Sequence, residues 1–130
     1  MKRTDQVCTP EQAKRLRELG VNQESLFIWI LLESENTYLL LHAIDDINLY
    51  DNYTFAAFTV AELGMLLPEF VNDHSIIYLK WHPDRFKIAL SGIDHEHIEF
   101  TALIEADVRA QALIYILEND LMPKTDCAQE

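Results

Sequence analysis

Histidine and glutamate recur at alternate positions late in the chain, at His95, His97 and Glu99. Side chains two residues apart in a strand share a face. These three, with His82 from a neighbouring strand, therefore make a candidate metal centre of imidazole and carboxylate ligands. Such a set would serve a small metal-binding protein or a metal-dependent hydrolase. The spacing lacks the tight signature of dedicated zinc sites, and neither cysteine stands nearby, so an exposed polar sheet face also explains the same residues. A nucleophile is harder to find. Ser91, Thr101 and Tyr78 are the nearby hydroxyls, and none sits in a recognisable nucleophile turn.

The acidic run Asp45, Asp46, Asn48, Asp51 and Asn52 carries hard oxygen ligands of the kind calcium takes. Counted from Asp46, however, the sixth position is Asp51 rather than Gly and the twelfth is Ala57 rather than Glu, which excludes an EF-hand. Only three glycines are present, Gly20, Gly64 and Gly92, too far apart for a phosphate-cradling loop. No cofactor is implied. His42 and His74 stand alone and read as hydrogen-bonded structural residues. Cys8 and Cys127 fall in the polar ends and read as free thiols of a reducing compartment.

Charge narrows the partners. The chain of 130 residues has a formal net charge of −12, from 22 acids and 10 bases. Half of the bases lie at Lys2, Arg3, Lys14, Arg15 and Arg17. From Glu18 onward 5 bases face 20 acids, a balance of 5 − 20 = −15. Such a body repels a phosphate backbone, so no nucleic-acid partner is expected, whereas a basic protein partner is compatible. The longest apolar run, Leu26 to Leu32, is strand-sized and far short of the roughly 18 residues of a membrane helix, so no membrane partner is expected. The start of the chain lacks an apolar block of secretory type, which points to the cytoplasm.

The elements that must position these residues form a single α+β domain over 1–130, with polar tails at about 1–8 and 123–130. Thr9-Pro10-Glu11-Gln12 is a capping box with proline at the first helical position, and Gly20 supplies a left-handed stop. Leu26–Leu32 and Tyr38–Ile44 form a hairpin across Glu33-Ser34-Glu35-Asn36. Tyr53–Phe58 is strand-like, and Thr59 with Glu62 caps a short helix that ends at Pro68. From Ser75 the pattern alternates through three strands, with Tyr78, Lys80, His82, Lys87, His95, His97 and Glu99 expected on the polar side. Ala106, Ala110, Leu113, Ile114, Leu117 and Leu121 stripe a long C-terminal helix. The expected fold is a mainly antiparallel sheet of about five or six strands, with that helix on one face and two short helices.

Residues 9–20, 57–68 and 106–121 resemble a family of small uncharacterised proteins found in gut bacteria, often associated with phage or other mobile elements. The shared motifs are helix caps and packing stripes. The resemblance implies a common fold and brings no active-site residue with it. With no assembled catalytic motif, the expectation leans away from an enzyme and toward a non-catalytic interaction or accessory protein. The hairpin is apolar on both faces, and one long and two short helices must cover the whole sheet. A homodimer burying part of the hairpin, with Phe27 or Trp29 as anchor, is expected; the alternative is that the Ala13–Leu19 helix covers the second face within one chain.

Overall fold

Local chemistry starts the first two helices. In the computed structural model, which describes residues 3–32, 34–42, 54–68, 70–71, 74–80, 85–92 and 95–122, a short 3-10 turn (Arg3–Gln6) precedes α1 (Pro10–Glu18). Thr9 Oγ1 accepts from Gln12 N at 3.1 Å, while Gln12 Oε1 accepts from Thr9 N at 3.0 Å. Gly20 follows with φ +90°, a conformation that side chains rarely adopt. Thr59 and Glu62 repeat the device at α2 (Val60–Leu66). α3 (Glu105–Glu118) starts without a side-chain cap, but Glu105 and Asp107 in its first turn complement the positive end of the helix dipole.

Strands β1 (Phe27–Leu32) and β2 (Thr37–His42) form the expected hairpin, with Asn36 at φ 51° in the turn. β3 (Thr54–Ala56) pairs with the other side of β1, giving an antiparallel sheet of order β2-β1-β3. β4 (Phe70–Val71), β5 (His74–Lys80), β6 (Phe86–Gly92) and β7 (His95–Ala102) make a second antiparallel sheet in chain order. The α+β class and the antiparallel pairing agree with the sequence, as do the five strands of six or more residues. The expectation of one sheet does not hold: α2 intervenes between β3 and β4, and the described strands divide into two sheets. Both contribute to one core, Trp29 and Phe55 from the first sheet and Ile88 and Leu90 from the second.

α3 is buried more broadly than one stripe. Ala106, Ala110 and Leu113 are buried, and so are Val108, Ala112 and Ile116, so the helix is covered on two adjoining faces. Its neighbours follow from side-chain contacts. Asp107 accepts from Gln12 Nε2 of α1 at 2.6 Å and from Gln111 Nε2 at 2.9 Å, and Glu118 pairs with Arg15 of α1 at 2.8 Å. The Tyr115 ring meets Phe100 of β7 at 5.5 Å. On the α2 side, a side chain at Gly64 would collide with the Arg109 guanidinium.

The segment before α1 is not a polar tail throughout. Val7 and Cys8 are buried; Val7 bridges Thr59, and Cys8 N donates to Phe58 O at 2.9 Å. Two apolar residues gain burial by extending the pairing beside β3, and the polar residues around them hide that role in the sequence. Trp29 is also placed differently from the expectation. It points into the core, and its Nε1 donates to Cys8 O at 2.9 Å, so it is not an exposed interface anchor. Phe27 packs against the same core, edge-on to His42 at 4.7 Å. The expected tail at 123–130 lies outside the described residues.

Core and surface leucines should therefore separate in urea unfolding. Leu113→Ala, in the core, is expected to cost about 2–5 kcal/mol, whereas Leu39→Ala, at a half-exposed position, is expected to cost less than about 1 kcal/mol. Equal losses would contradict this assignment of faces.

Candidate functional site

The polar face of the second sheet is built by cross-strand register. Lys87 lies opposite Thr101, Ala89 opposite Glu99, and Leu90 opposite Ile98. Glu99 thus reaches Lys87 diagonally past the small buried Ala89, with Nζ to Oε1 at 3.2 Å, and accepts at Oε2 from His97 Nε2 at 2.6 Å. The hydrogen bond from His97, then that from Lys87, holds the Glu99 carboxyl below the ordinary glutamate range. The depressed value means that whatever the pairing contributes is present above the unfolded-state pKa and is lost as pH falls through the folded value. Exposure to solvent screens it.

A bulge lies beside the expected metal set. From Leu90 to Gly92 is two steps along β6, but their partners, Ile98 and His95, are three steps apart on β7. The extra residue shifts position 95 into the row of Gly92, which continues the row of Leu90 and Ile88, while His97 stays in the row of Glu99. The backbone between positions 95 and 97 therefore departs from the regular alternation assumed for that set. His82 lies outside the described residues. Among the described residues no three His, Cys, Asp or Glu side chains converge as a metal cluster. The pairing of β5 departs from the expectation as well. Tyr78 pairs with Ile88 and Lys80 with Phe86, whereas Ile77 and Leu79 pair with Ala89 and Lys87. Consecutive Ile76 and Ile77 make both rows of β5 apolar, so alternation alone could not choose between them. The acidic run 45–52 and Cys127 also fall outside the described residues.

A second polar centre was legible only in part. The capping carboxylate of Glu62 also accepts from Ser25 Oγ at 2.7 Å and from Leu26 N at 3.0 Å. The Ser25 hydroxyl in turn accepts from Phe27 N at 3.2 Å. A serine beside a carboxylate has the components of an activated nucleophile. Here the two residues tie the approach to β1 onto α2.

The third feature is a cleft of about 150 Å³ lined by Asp5, Gln6, Val60, Phe86, Leu103, Ile104 and Glu105. Its wall is mainly apolar, with two carboxylates at hand; Glu105 is held by Arg109 at 2.8 Å. Leu103 stays 61% exposed beside it. Four separate elements supply the lining, so no local motif could have announced it.

Cys8 is a structural thiol. Burial raises its pKa from 9.0 to about 12. A reactive cysteine needs an accessible thiolate, and this one has neither access nor charge. Between pH 9 and 12 the unfolded chain releases a proton that the native chain keeps, so stability falls with rising pH across that window. The native thiol is expected to resist alkylation at pH 8. Chemical unfolding should show Cys8→Ala losing about 1 kcal/mol less than the wild type between pH 8 and 10. Rapid native labelling of Cys8, or identical alkaline slopes, would refute this assignment.

No protein-family model, curated protein or solved structure matches this chain.

Proposed function

We propose that the chain is an accessory protein that acts in the cytoplasm by binding a basic protein partner. The observation that carries this reading is the cleft beside the start of α3, where apolar walls from Val60, Phe86, Leu103 and Ile104 stand next to Asp5 and Glu105. Its volume of about 150 Å³ suits one anchoring side chain rather than a drug-sized substrate, for which pockets of roughly 300–1,000 Å³ are usual. Complementary charge favours a partner segment in which Lys or Arg flanks an apolar residue, and the net charge of −12 would speed its approach. Among the described residues, Glu62 is engaged with Ser25 and two backbone amides, and Asp107 with two glutamines. No described helix is long and apolar enough to cross a membrane.

The metal reading retains one favourable observation, the adjacency of His97 and Glu99. Both readings meet in one experiment. Affinity purification from the native host is expected to recover a basic protein that Leu103→Asp no longer retains and that about 0.5 M salt releases. Recovery of an acidic partner, or retention by Leu103→Asp, would overturn the cleft. Stoichiometric zinc in tag-free protein, lost in His97→Ala, would favour the metal reading instead.

A further inference from the structure

The two sheets present four edges, and three of them are blunted. β7 carries His97 and Glu99 and is interrupted by the bulge. β4 is two residues long. β3 has its outward backbone groups occupied by side chains, since Arg17 Nη1 donates to Thr54 O at 2.6 Å and Ala56 N donates to Gln23 Oε1 at 2.8 Å. Charge, shortness, bulges and covering side chains are the usual protections against edge-to-edge pairing. β2 has none of them among the described residues. It runs six residues, Thr37-Tyr38-Leu39-Leu40-Leu41-His42, in unbroken register with β1 and without an acid, a lysine or a proline.

Register settles which groups that edge presents. Ala57 N donates to Phe27 O at 2.9 Å, so Phe27 and, two residues on, Trp29 direct their backbone groups toward β3. By alternation Ile28, Ile30 and Leu32 bond to their β2 partners Leu41, Leu39 and Thr37. The amides and carbonyls of Tyr38, Leu40 and His42 are left pointing away from the sheet.

We infer that β2 pairs antiparallel with β2 of a second copy of this chain, on a two-fold axis at Leu40, joining two three-stranded sheets into one of six strands. That axis pairs Leu40 with Leu40 and Tyr38 with His42 on each side, using all three outward positions with two hydrogen bonds per pair. The same axis sets Leu39 opposite Leu41 of the second copy at the closely spaced, non-hydrogen-bonded positions. Leu39 and Leu41 are 47% and 40% exposed in the single chain, while Ile28 in the same row is fully buried. Four half-exposed leucines would thus close into one strip. The occupant follows from self-complementarity: one two-fold axis at Leu40 satisfies the three outward positions of both copies, and β2 carries no charge of its own to add to the repulsion between two chains of net charge −12.

Sedimentation equilibrium on the full chain tests the inference. A mass approaching twice 15.1 kDa is expected at high micromolar concentration, with association strengthened between 50 and 500 mM salt as repulsion is screened. The basic-partner complex should respond to salt in the opposite sense, so the two proposals can fail separately. Leu39→Lys with Leu41→Lys should be monomeric with an unchanged circular dichroism spectrum, and Leu103→Asp should still dimerise. Hydrogen exchange supplies a residue-level readout. The amides of Tyr38, Leu40 and His42 should become protected as concentration rises, while those of Leu39 and Leu41 stay protected throughout. A monomer at all concentrations, a dimer unchanged by the double lysine variant, or a dimer without new protection at Tyr38, Leu40 and His42 would overturn it.

Discussion

The fold depends on the burial of α3 on two adjoining faces. It is the one long helix among the described elements, and α1, α2 and the β6–β7 face all pack against it. Small residues make this geometry workable. Ala106, Ala110 and Ala112 let neighbouring elements approach, while Leu113, Ile116 and Val108 fill the spaces between them. Removing this helix would leave the second sheet with an uncovered apolar row of Ile88, Leu90 and Phe100, and would leave α1 packed on β3 alone. Either sheet is then close to the limit below which a few strands with one apolar face cannot persist alone.

Carboxylates act as clasps in this acidic chain. Asp107 binds α3 to α1 by receiving Gln12 and Gln111, and Gln12 simultaneously completes the cap of its own helix. Glu62 does likewise at α2, where its cap is shared with the approach to β1. One side chain satisfying both a helix terminus and a distant backbone amide couples a local decision to tertiary structure. Neither acid is replaceable on grounds of charge alone, because the backbone amides of Leu26 and Thr59 at Glu62, and the side-chain amides of Gln12 and Gln111 at Asp107, would lose partners as well. Many of the remaining acids contribute to the field outside the molecule, which decides what can approach it.

Signals confined to a few consecutive residues were legible in the sequence. Both capping boxes, Gly20 as a stop, the hairpin across Asn36 and the acids at the start of α3 needed only nearest-neighbour chemistry to be read. Features set by long-range pairing were not. Two rows of β5 are apolar because Ile76 and Ile77 are adjacent, and the pairing of Tyr78 with Ile88 selects between them only after the strands have met. The bulge at β7 has the same character: a residue inserted relative to the partner strand changes the backbone register, and nothing in His-Glu-His-Ile-Glu reveals it. Trp29 was legible as a strand residue, but its choice between core and subunit interface was not, since its indole bonds the carbonyl of Cys8, 21 residues away. Of the four metal ligands expected, His97 and Glu99 are in contact, while His82 and the side chain of His95 lie outside the described parts.

The contrast between the edges of the first sheet shows how backbone satisfaction and association separate. At β3 the outward groups border on buried residues, so leaving them bare would cost free energy, and Arg17 and Gln23 supply partners while Arg17 also stacks over Phe55 at 5.6 Å. At β2 the outward amides and carbonyls of Tyr38, Leu40 and His42 border on solvent, and water satisfies them at little cost to the single chain. Folding stability therefore exerts no pressure to cover this edge. An edge free of that pressure usually still carries charge, because an unprotected strand risks indiscriminate pairing. In a chain with 22 acids and 10 bases, six consecutive uncharged residues at a sheet edge leave backbone pairing open where the surrounding field closes it elsewhere. The acidic body then does what edge charges do in other sheets, limiting the encounters that reach the strand to those that align with it.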